Sequence, residues 1–376
     1  MSKLNVAVIY GGRSPEHEVA IITALQVMQN LDQDKYEVTP VYITKTGDWI
    51  MGNNRFLIPE SYQDLGKLVS GTKRLSIFPP RSLPNIDVAF PIFHGSFGED
   101  GTVQGLLEMQ NLPYAGSGVL ASSLGMDKIL QKQVFAASNL PQVKHFQFYR
   151  NRLPKSVPLR YPLYVKPANG GSSIGTTKVH SPKELKDALE VASCYDRKII
   201  VEESAENFKE INVSVLGNSG SQLRTSVCEQ PVPSKDILTF ADKYESGSKS
   251  SLPAGRQGMA SAKRLVPAPI HPTTAQKIAR LAKTAYLSLD CSGLARVDFL
   301  VSQDEKTIYI NEINTIPGSL AFYLWEASGL KFPRLLDEVI NLALARHQDS
   351  QKTTYTFPNN LLASLGQTLK GSKLKG

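Results

Sequence analysis

The sequence predicts an α/β protein that begins with an open parallel sheet. Apolar runs typical of buried strands alternate with helical periodicity near the N-terminus, and glycine-rich segments follow the strands. The chain has 376 residues, of which 41% are hydrophobic and 20% are charged. This length exceeds one ordinary core and indicates two or three domains, and the composition excludes a disordered or fibrous protein.

The N-terminal unit has the order strand, loop, helix, strand. We expect strands at residues 4–10, 36–43 and 86–93 and helices at about 18–30 and 101–110. Strands that alternate with helices favour a parallel sheet over about the first 120 residues. Because ligands of such sheets bind at the carboxyl ends of the strands, we expect functional residues in the loops that follow them.

The rest of the chain is predicted to form further strands, helices and one long loop. The expected helices are at residues 120–138, 182–193, 273–289 and 332–346. The expected strands are at 162–167, 198–203 and 210–217, with a hairpin of 293–301 and 307–311. Residues 234–264 show little periodicity and are typical of a functional lid. The predicted domains are 1–120, 121–207 and 208–350, which includes the lid, and a basic tail follows at 351–376.

The formal net charge of +8 is unevenly distributed. Residues 1–125 carry −3, residues 126–350 carry +7 and residues 351–376 carry +4. Nucleic acid, an acidic membrane surface and a phosphate-bearing small molecule are all compatible with a positive excess. A nucleic-acid-binding face would combine basic residues with exposed aromatic ones, and only a lysine-dotted tail is visible, so we expect no nucleic-acid partner.

Cysteine usage and hydropathy favour a cytoplasmic protein. The three cysteines are far apart, form no metal-binding pattern and cannot all pair. The first residues enter a strand-like run without the features of a signal peptide. No apolar run is long enough to cross a bilayer, so we expect no membrane partner.

Four polar residues share one face of the predicted hairpin. Alternate residues of a strand point the same way, so Arg296 lies beside Asp298 and Glu312 lies beside Asn314. Two carboxylates and an amide oxygen suit Mg²⁺, and the arginine can stabilise a transferring phosphoryl group or an oxyanion. Since the intervening residues are apolar and bury the other face, we favour this site over a surface hairpin with a salt bridge.

A loop rich in glycine and serine follows the strand that carries Lys166. Its glycines let backbone N–H groups close around phosphate oxygens, and Ser172 and Ser173 add hydroxyl donors. Lys166 supplies a point charge for a phosphate. The spacing differs from the P-loop pattern, so a flexible turn is an equal alternative on these residues alone.

Two other loops after strands carry candidate ligands. His94 could orient a substrate carboxylate, although a lone histidine is usually structural, and the helix beginning at Gly101 could face an anion. Glu16 could hold an ammonium group. The alternative there is a helix cap with Ser14 at the N-cap and Pro15 in the first turn, and both interpretations can hold together.

Together these motifs resemble the D-alanine–D-alanine ligase family of ATP-grasp enzymes, from residue 11 to about residue 346. The first signature reads His94-Gly-x-x-Gly98-Glu99-Asp100-Gly101. The second reads Gly293-Leu-Ala-Arg296-Val-Asp298, then Asn311-Glu312-Ile-Asn314 and Pro317-Gly318. Two long signatures in order are more specific than one glycine loop. The resemblance implies an ATP-grasp fold with a Rossmann-like N-terminal domain.

The resemblance implies a reacting centre. Glu16 would hold the ammonium of a first D-alanine, with His94 near its carboxylate. Ser172 would join Glu16 and Tyr244 in a network. Arg296 would steady an acyl phosphate and the tetrahedral intermediate that follows.

The resemblance also implies the binding residues. ATP would be bound by Lys128, Lys166, Ser173, Glu202, Glu203 and Glu210. Two Mg²⁺ or Mn²⁺ ions would be held by Asp298, Glu312 and Asn314. The Gly318 backbone would lie near the intermediate, and Ser319 and Leu320 would hold the carboxylate of the second substrate.

The implied activity is ATP-dependent ligation of two D-alanines for peptidoglycan precursor synthesis, in a cytoplasmic homodimer. Tyr244 after Lys243 favours D-alanine as the second substrate, because related ligases that use D-lactate generally lack this tyrosine. The alternatives are a ligase that makes D-Ala-D-lactate or D-Ala-D-serine, and a nucleotide-binding protein without ligase activity. The complete set at Arg296, Asp298, Glu312 and Asn314 opposes the last of these.

Three segments depart from the family pattern. Residues 251–257 are a short insertion in the lid, which either is neutral or alters closure. Residues 318–325 are shorter than in many members, which weakens the assignment of Ser319 and Leu320. The basic tail has no counterpart role.

Overall fold

The computed structural model describes residues 3–75, 83, 85–232 and 263–356. Tyr244, nearly all of the predicted lid with its insertion at 251–257, and the tail beyond residue 356 lie outside the described residues. Within these described stretches, no helix combines the length and apolar character that a membrane crossing requires.

The described residues form both strands and helices, as the periodicity indicates. The strands are β1 Leu4–Gly11, β2 Tyr36–Ile43, β3 Trp49–Met51, β4 Lys73–Arg74, β5 Val88–Ile92, β6 His145–Tyr149, β7 Leu163–Pro167, β8 Thr177–Val179, β9 Lys198–Glu203, β10 Phe208–Asn218, β11 Arg224–Thr225, β12 Gln230–Pro231, β13 Arg264–Leu265, β14 Ser292–Ser302 and β15 Ile308–Asn314. The helices are α1 His17–Asn30, α2 Leu65–Val69, α3 Thr102–Met109, α4 Val119–Met126, α5 Lys128–Ala137, α6 Pro182–Tyr195, α7 Pro272–Ser288, α8 Phe322–Ala327 and α9 Phe332–Ser350.

The first sheet is parallel at its centre, as predicted, and antiparallel at one edge. Its strand order is β4-β3-β2-β1-β5, and β1 pairs in parallel with both β2 and β5. A tight turn joins β2 to β3, with the Gly47 N–H donating to the Thr44 carbonyl at 3.0 Å. So short a connection permits only antiparallel pairing. The carboxyl ends of β1 and β5 therefore carry Glu16 and His94 to the same edge.

Two antiparallel sheets form from the later strands. One has the order β6-β9-β7-β8 and the other β11-β10-β14-β15. The predicted hairpin is confirmed, because β14 pairs antiparallel with β15. β10 flanks β14 on its other side, so β14 lies inside its sheet. The proposed domain boundaries at 120 and 207 stay predictions.

The prediction of a single helix at 120–138 is wrong, because the chain forms α4 and α5 with a break at Asp127. Asp127 has extended backbone (φ −90°, ψ 100°), and its carboxylate accepts the N–H groups of Ile129 and Leu130 at 3.1 and 3.2 Å. It also pairs with Lys198. A capping aspartate starts a new helix even where apolar periodicity continues through it.

Several short strands were not predicted. β6 has only five residues, and none of them is buried, so it lacks the run of buried apolar residues on which the other strands were predicted. β3, β4, β8, β11, β12 and β13 are two or three residues long. Strands this short carry too few residues for a period to be read.

The C-terminal helix packs back on the first sheet. Leu335 and Ile340 of α9 share one buried cluster with Val8 and Phe90 of the first sheet. At its edge the Asp337 carboxylate accepts from Lys35 at 2.6 Å and from the Tyr36 hydroxyl at 3.0 Å. This shared core fixes the N-terminal loops relative to the hairpin that carries Arg296.

The turn at Gly11 generates a stability prediction. Gly11 has φ +94°, and a Cβ there would lie 2.3 Å from the Ile43 carbonyl oxygen. Gly71 has φ +70°, but its Cβ would meet no described atom within 4 Å. We expect Gly11→Ala to lower the free energy of unfolding by about 3 kcal/mol and Gly71→Ala by about 1 kcal/mol, since only the first adds overpacking to backbone strain.

Thermal and urea unfolding of the two variants measure this difference. Equal losses of stability for Gly11→Ala and Gly71→Ala would show that close approach to β2 does not constrain the loop.

Candidate functional site

The hairpin of β14 and β15 gathers the predicted polar residues on one face. Arg296 is directly opposite Asn314, and Asp298 is directly opposite Glu312. The alternate residues Val297 and Ala295 are fully buried in the apolar cluster behind the sheet. The predicted convergence of the four polar side chains is confirmed, and it follows from the two-residue period of the strands.

Arg296 and Asp298 form a buried, bidentate pair. The Nε and Nη2 groups of Arg296 donate to the two carboxylate oxygens of Asp298, both at 2.7 Å. Asn314 donates to Asp298 Oδ2 at 3.0 Å. Burial by itself would lower the pKa of Arg296, but the Asp298 carboxylate outweighs it and raises the pKa well above its usual value. The guanidinium is therefore a permanent positive charge in a site screened from water.

Lys128 connects α5, the glycine-rich loop and the hairpin. Its Nζ donates to the Gly170 carbonyl at 2.6 Å and lies 3.6 Å from Glu312 Oε2. Its backbone N–H donates to the Ala168 carbonyl at 2.9 Å. The break at Asp127 is what directs this first helical residue toward the loop.

The glycine-rich loop is strained and holds Glu16. Ser172 and Ser173 have φ values of 52° and 59°, a left-handed backbone that non-glycine residues rarely adopt. The Ser172 hydroxyl donates to the Glu16 carboxylate. A Cβ on Gly171 would lie 2.6 Å from Glu16 Oε2, so only glycine permits this approach. The contacts favour a built site over a flexible turn.

The cap proposed for α1 is shifted by two residues. Glu16, rather than Ser14, occupies the N-cap position, and α1 begins at His17. Ser14 instead donates from its hydroxyl to the His94 carbonyl at 2.6 Å and accepts the Glu16 N–H at 3.1 Å. Ser14 thus ties the loop after β1 to the loop after β5 and leaves Glu16 pointing at Ser172.

The helix at Gly101 is capped by its own chain. The Asp100 carboxylate accepts the Thr102 N–H at 3.0 Å and the Phe97 N–H at 2.7 Å. One N–H group at the start of α3, that of Thr102, is therefore satisfied by the chain itself rather than by an external anion.

A cavity of about 610 Å³ brings the expected nucleotide-binding residues together. Its lining includes Lys128, Lys166, Ser172, Ser173, Glu202, Glu203, Glu210, Asp298 and Glu312. A smaller pocket of about 40 Å³ is lined by Glu16, His94, Arg296, Asn314 and Gly318, and it shares Gly171, Ser172 and Glu312 with the large cavity. The large cavity has the size of a small-molecule site, and the shared wall joins it to a second, smaller compartment.

Glu202 and Lys166 are paired inside the large cavity. The Lys166 Nζ lies 2.5 Å from Glu202 Oε2. Glu203 accepts the Arg160 N–H at 3.1 Å, and Glu210 accepts from the Asn212 amide at 3.1 Å.

His94 is buried and held between two elements. Its Nε2 lies 3.1 Å from the Thr23 hydroxyl of α1, and the ring also bonds to the backbone of Ile316. Burial lowers the pKa of His94 to about 4, and the charge of Arg296 contributes in the same direction. His94 is therefore neutral near pH 7 and braces the turn after β15 at the edge of the small pocket.

The turn after β15 has an unusual backbone. Ser319, Leu320 and Ala321 are all left-handed, with φ values of 51°, 51° and 47°. The Ser319 N–H donates to Thr23 Oγ1 at 3.3 Å, and its buried hydroxyl has no hydrogen-bond partner among the described residues. The Leu320 side chain packs in the apolar core rather than lining the small pocket.

Glu99 lines the site, and Thr23 and Lys132 contact residues that line it, but none of the three is among the residues predicted from the sequence. Glu99 lies inside the first signature and lines the small pocket, where burial and then the charge of Glu16 raise its pKa well above the usual value. Lys132 had a readable signal, because it recurs four residues after Lys128 on one helical face. No pattern in the sequence indicates a role for Thr23, because its partners come from distant segments.

The donor set fits a metal that takes part of its shell from a ligand. The described residues contain no cluster of three His, Cys, Asp or Glu side chains around one point. Asp298 and Glu312 supply two carboxylates, and Asn314 adds an amide. Mg²⁺ is commonly held by one or two carboxylates together with phosphate oxygens and waters.

Sequence comparison identifies the family. A profile described as "D-ala D-ala ligase N-terminus" matches residues 5–117, and one described as "D-ala D-ala ligase C-terminus" matches residues 134–341.

The chain belongs to the D-alanine–D-alanine ligase family. It is 40% identical over 379 residues to the D-alanine–D-alanine ligase of Geobacillus thermodenitrificans (strain NG80-2), an alignment that covers 94% of this chain and 99% of that protein.

Solved structures of ligases share the architecture. The D-alanine–D-alanine ligase from Coxiella burnetii superposes with a TM-score of 0.80 at 31% identity, covering 94% of this chain and 97% of that one. The VanG D-Ala:D-Ser ligase from Enterococcus faecalis gives a TM-score of 0.75 at 30% identity, covering 91% and 100%. The predicted ATP-grasp fold is confirmed.

The burial of His94 in this ligase family member generates a pH prediction. Its pKa is about 4 in the folded chain and 6.5 when exposed, so the unfolded state gains the proton first as the pH falls. The stability contributed by neutral His94 is present above pH 6.5 and is lost progressively toward pH 4. Between pH 7 and pH 5 we expect the wild-type protein to lose about 2 kcal/mol more than His94→Gln.

Urea unfolding at both pH values measures the effect, with exposed His180→Gln as the control. An equal loss in the wild-type protein and in His94→Gln would contradict a buried, neutral His94.

Proposed function

We propose that the chain ligates two D-alanines to D-alanyl-D-alanine at the expense of ATP, for peptidoglycan precursor synthesis. The observation that carries this is the wall shared by the two pockets. One side has lysines and oxygen donors suited to a polyphosphate, and the other has Glu16, His94 and Arg296, suited to an amino acid. A carboxylate in the small pocket would therefore meet a phosphate in the large one.

Lys128 and Lys166 are the proposed phosphate-binding residues. Both line the large cavity, and both are half-buried, so their charges are less screened than those of surface lysines. Ser173 would donate to a phosphate. Glu202 and Glu203 with the following backbone would bracket the adenine, and Glu210 would take the ribose.

Asp298, Glu312 and Asn314 would hold two Mg²⁺ or Mn²⁺ ions against the phosphates. When bound, such ions neutralise phosphate charge that would otherwise repel an attacking anion. Asp298 is fixed for this by its bidentate partner Arg296, and Glu312 by the nearby ammonium of Lys128.

The proposed reaction has two steps. Glu16 holds the ammonium of the first D-alanine, whose carboxylate attacks the γ-phosphate to give an acyl phosphate and ADP. The amine of the second D-alanine then attacks the acyl carbon, and phosphate leaves. Arg296 stabilises the negative charge that develops on the tetrahedral intermediate, with the Gly318 backbone nearby. Tyr244 would close the site with Ser172 and Glu16, because an acyl phosphate must be kept from water.

The second substrate is proposed to be D-alanine, held by Ser319 and, because the Leu320 side chain packs in the core, by the Leu320 backbone. Lys243-Tyr244 in the sequence supports this choice. The likeness to a D-Ala:D-Ser ligase keeps D-serine as the alternative, with D-lactate beside it. The buried Ser319 hydroxyl is a candidate donor to the second carboxylate.

We also propose a homodimer that works in the cytoplasm.

The direct test is mass spectrometry of products formed from ATP, Mg²⁺ and D-alanine, alone or with D-serine or D-lactate. We expect D-alanyl-D-alanine and ADP in equal amounts, and D-alanine to be preferred in each competition at neutral pH. A clear preference for D-lactate would contradict the proposed product in favour of D-Ala-D-lactate. A clear preference for D-serine would contradict it in favour of D-Ala-D-serine. ATP turnover absent with D-alanine and Mg²⁺ would indicate a nucleotide-binding protein without ligase activity.

A further inference from the structure

A buried lysine lies behind the cavity, opposite Lys166. Lys132 is 2% exposed, and its Nζ lies 2.7 Å from Glu202 Oε1. Lys166 lies 2.5 Å from the other oxygen, Oε2. The Glu202 carboxylate is thus shared by two ammonium groups, of which Lys166 lines the cavity and Lys132 does not.

The position of Lys132 is set by α5. Lys128 and Lys132 are four residues apart and so lie on one face of the helix. The cap at Asp127 and the Lys128 N–H bond to the Ala168 carbonyl fix the start of α5 against β7. One helical face therefore delivers one lysine to the cavity and another to the rear of Glu202.

The charges of this cluster do not cancel. Two lysines and one glutamate carry a net charge of +1 in a buried place. Burial would raise the pKa of Glu202, but Lys132 and then Lys166 hold it well below the usual range. Burial would likewise lower the pKa of Lys166, and the Glu202 charge reverses this and raises it. Glu202 and Lys166 are therefore both charged, and because Lys132 also lies beside Glu202, Lys166 can turn its charge toward an anion in the cavity.

A buried carboxylate that loses its only cationic partner is strongly destabilised. If Glu202 were paired with Lys166 alone, a phosphate could recruit Lys166 only by leaving Glu202 uncompensated. With Lys132 on its other oxygen, Glu202 keeps a partner when Lys166 turns toward the cavity.

We propose that Lys132 is a positioning residue for nucleotide binding, which neutralises Glu202 from behind and so frees Lys166 to engage the ATP phosphates. The proposal rests on the proposed ATP site. Lys132 itself touches no ligand in this account, and its effect is on nucleotide affinity rather than on the chemical steps.

The test is Lys132→Met, which keeps an unbranched side chain one atom shorter and removes its charge. We expect about a tenfold loss of affinity for ADP with Mg²⁺ and a similar rise in KM for ATP, because Lys166 stays bound to Glu202. The turnover number and the KM for D-alanine should change much less. The control is Lys186→Met on α6, an exposed lysine (82% exposed side chain) whose loss removes the same charge from the surface.

A second variant separates charge balance from packing. Lys132→Met combined with Glu202→Gln removes the buried carboxylate that Lys132 is proposed to neutralise, while the glutamine keeps an oxygen that can accept a hydrogen bond from the adenine amino group. We expect this double variant to fold and to bind ADP about as tightly as Glu202→Gln alone, because Lys132 acts only through the charge of Glu202. If Lys132 served only to fill space, the double variant would bind ADP more weakly than Glu202→Gln by the factor that separates Lys132→Met from the wild-type protein.

Titration calorimetry of ADP with Mg²⁺ distinguishes a failure of the proposed function from a failure of the proposed role of Lys132. A wild-type protein that does not bind ADP would overturn the proposed function. A wild-type protein that binds ADP, with Lys132→Met binding equally well or the double variant binding clearly more weakly than Glu202→Gln, would overturn the role of Lys132 alone.

Discussion

The buried pair of Arg296 and Asp298 is the interaction on which the site depends. A guanidinium and a carboxylate this deep are tolerated because both hydrogen bonds are made, at 2.7 Å each. The pair occupies one face of β14, whose other face is fully apolar. Because the strand cannot rotate without exposing that core, the direction of both charges is fixed by the hydrophobic packing behind them.

The charged side chains around this pair also lie beside side chains of opposite charge. Lys128 lies near Glu312, and Lys132 and Lys166 lie on either side of Glu202. Glu312 and Glu202 therefore each have a lysine beside them, and Lys128 and Lys166 also line the cavity, where a ligand can meet their charge. The net charge of +8 does not indicate this arrangement of ion pairs, because a few individual charged residues, and not their sum, determine which ligand binds.

Much of the site followed from local pattern. The two-residue period placed Arg296, Asp298, Glu312 and Asn314 on one face, and the hairpin confirmed it. Parallel β1 and β5 were predicted from strand–helix alternation, and their shared edge brings the loops of Glu16 and His94 together. These features depend on the spacing of residues close in sequence and on the regular geometry of a sheet. Both can be applied to one amino-acid sequence without knowledge of its tertiary contacts.

Other features depend on contacts between distant segments. The break at Asp127 was missed because an apolar period runs through it, while the carboxylate that caps α5 is held by Lys198 from another strand. The brace of His94 requires Thr23, and the left-handed turn at Ser319 rests on that same hydroxyl. No local period encodes such pairings, so only the folded chain reveals them.

The most direct test of the central claim is a count of bound Mn²⁺ by electron paramagnetic resonance, in the presence of a non-hydrolysable ATP analogue. We expect about two Mn²⁺ per chain in the wild-type protein and a clear loss in Glu312→Ala, because a carboxylate of the hairpin face is removed. The control is Glu326→Ala, an exposed position on α8. Unchanged Mn²⁺ binding in Glu312→Ala would contradict the claim that this face of the hairpin is the metal and phosphate site.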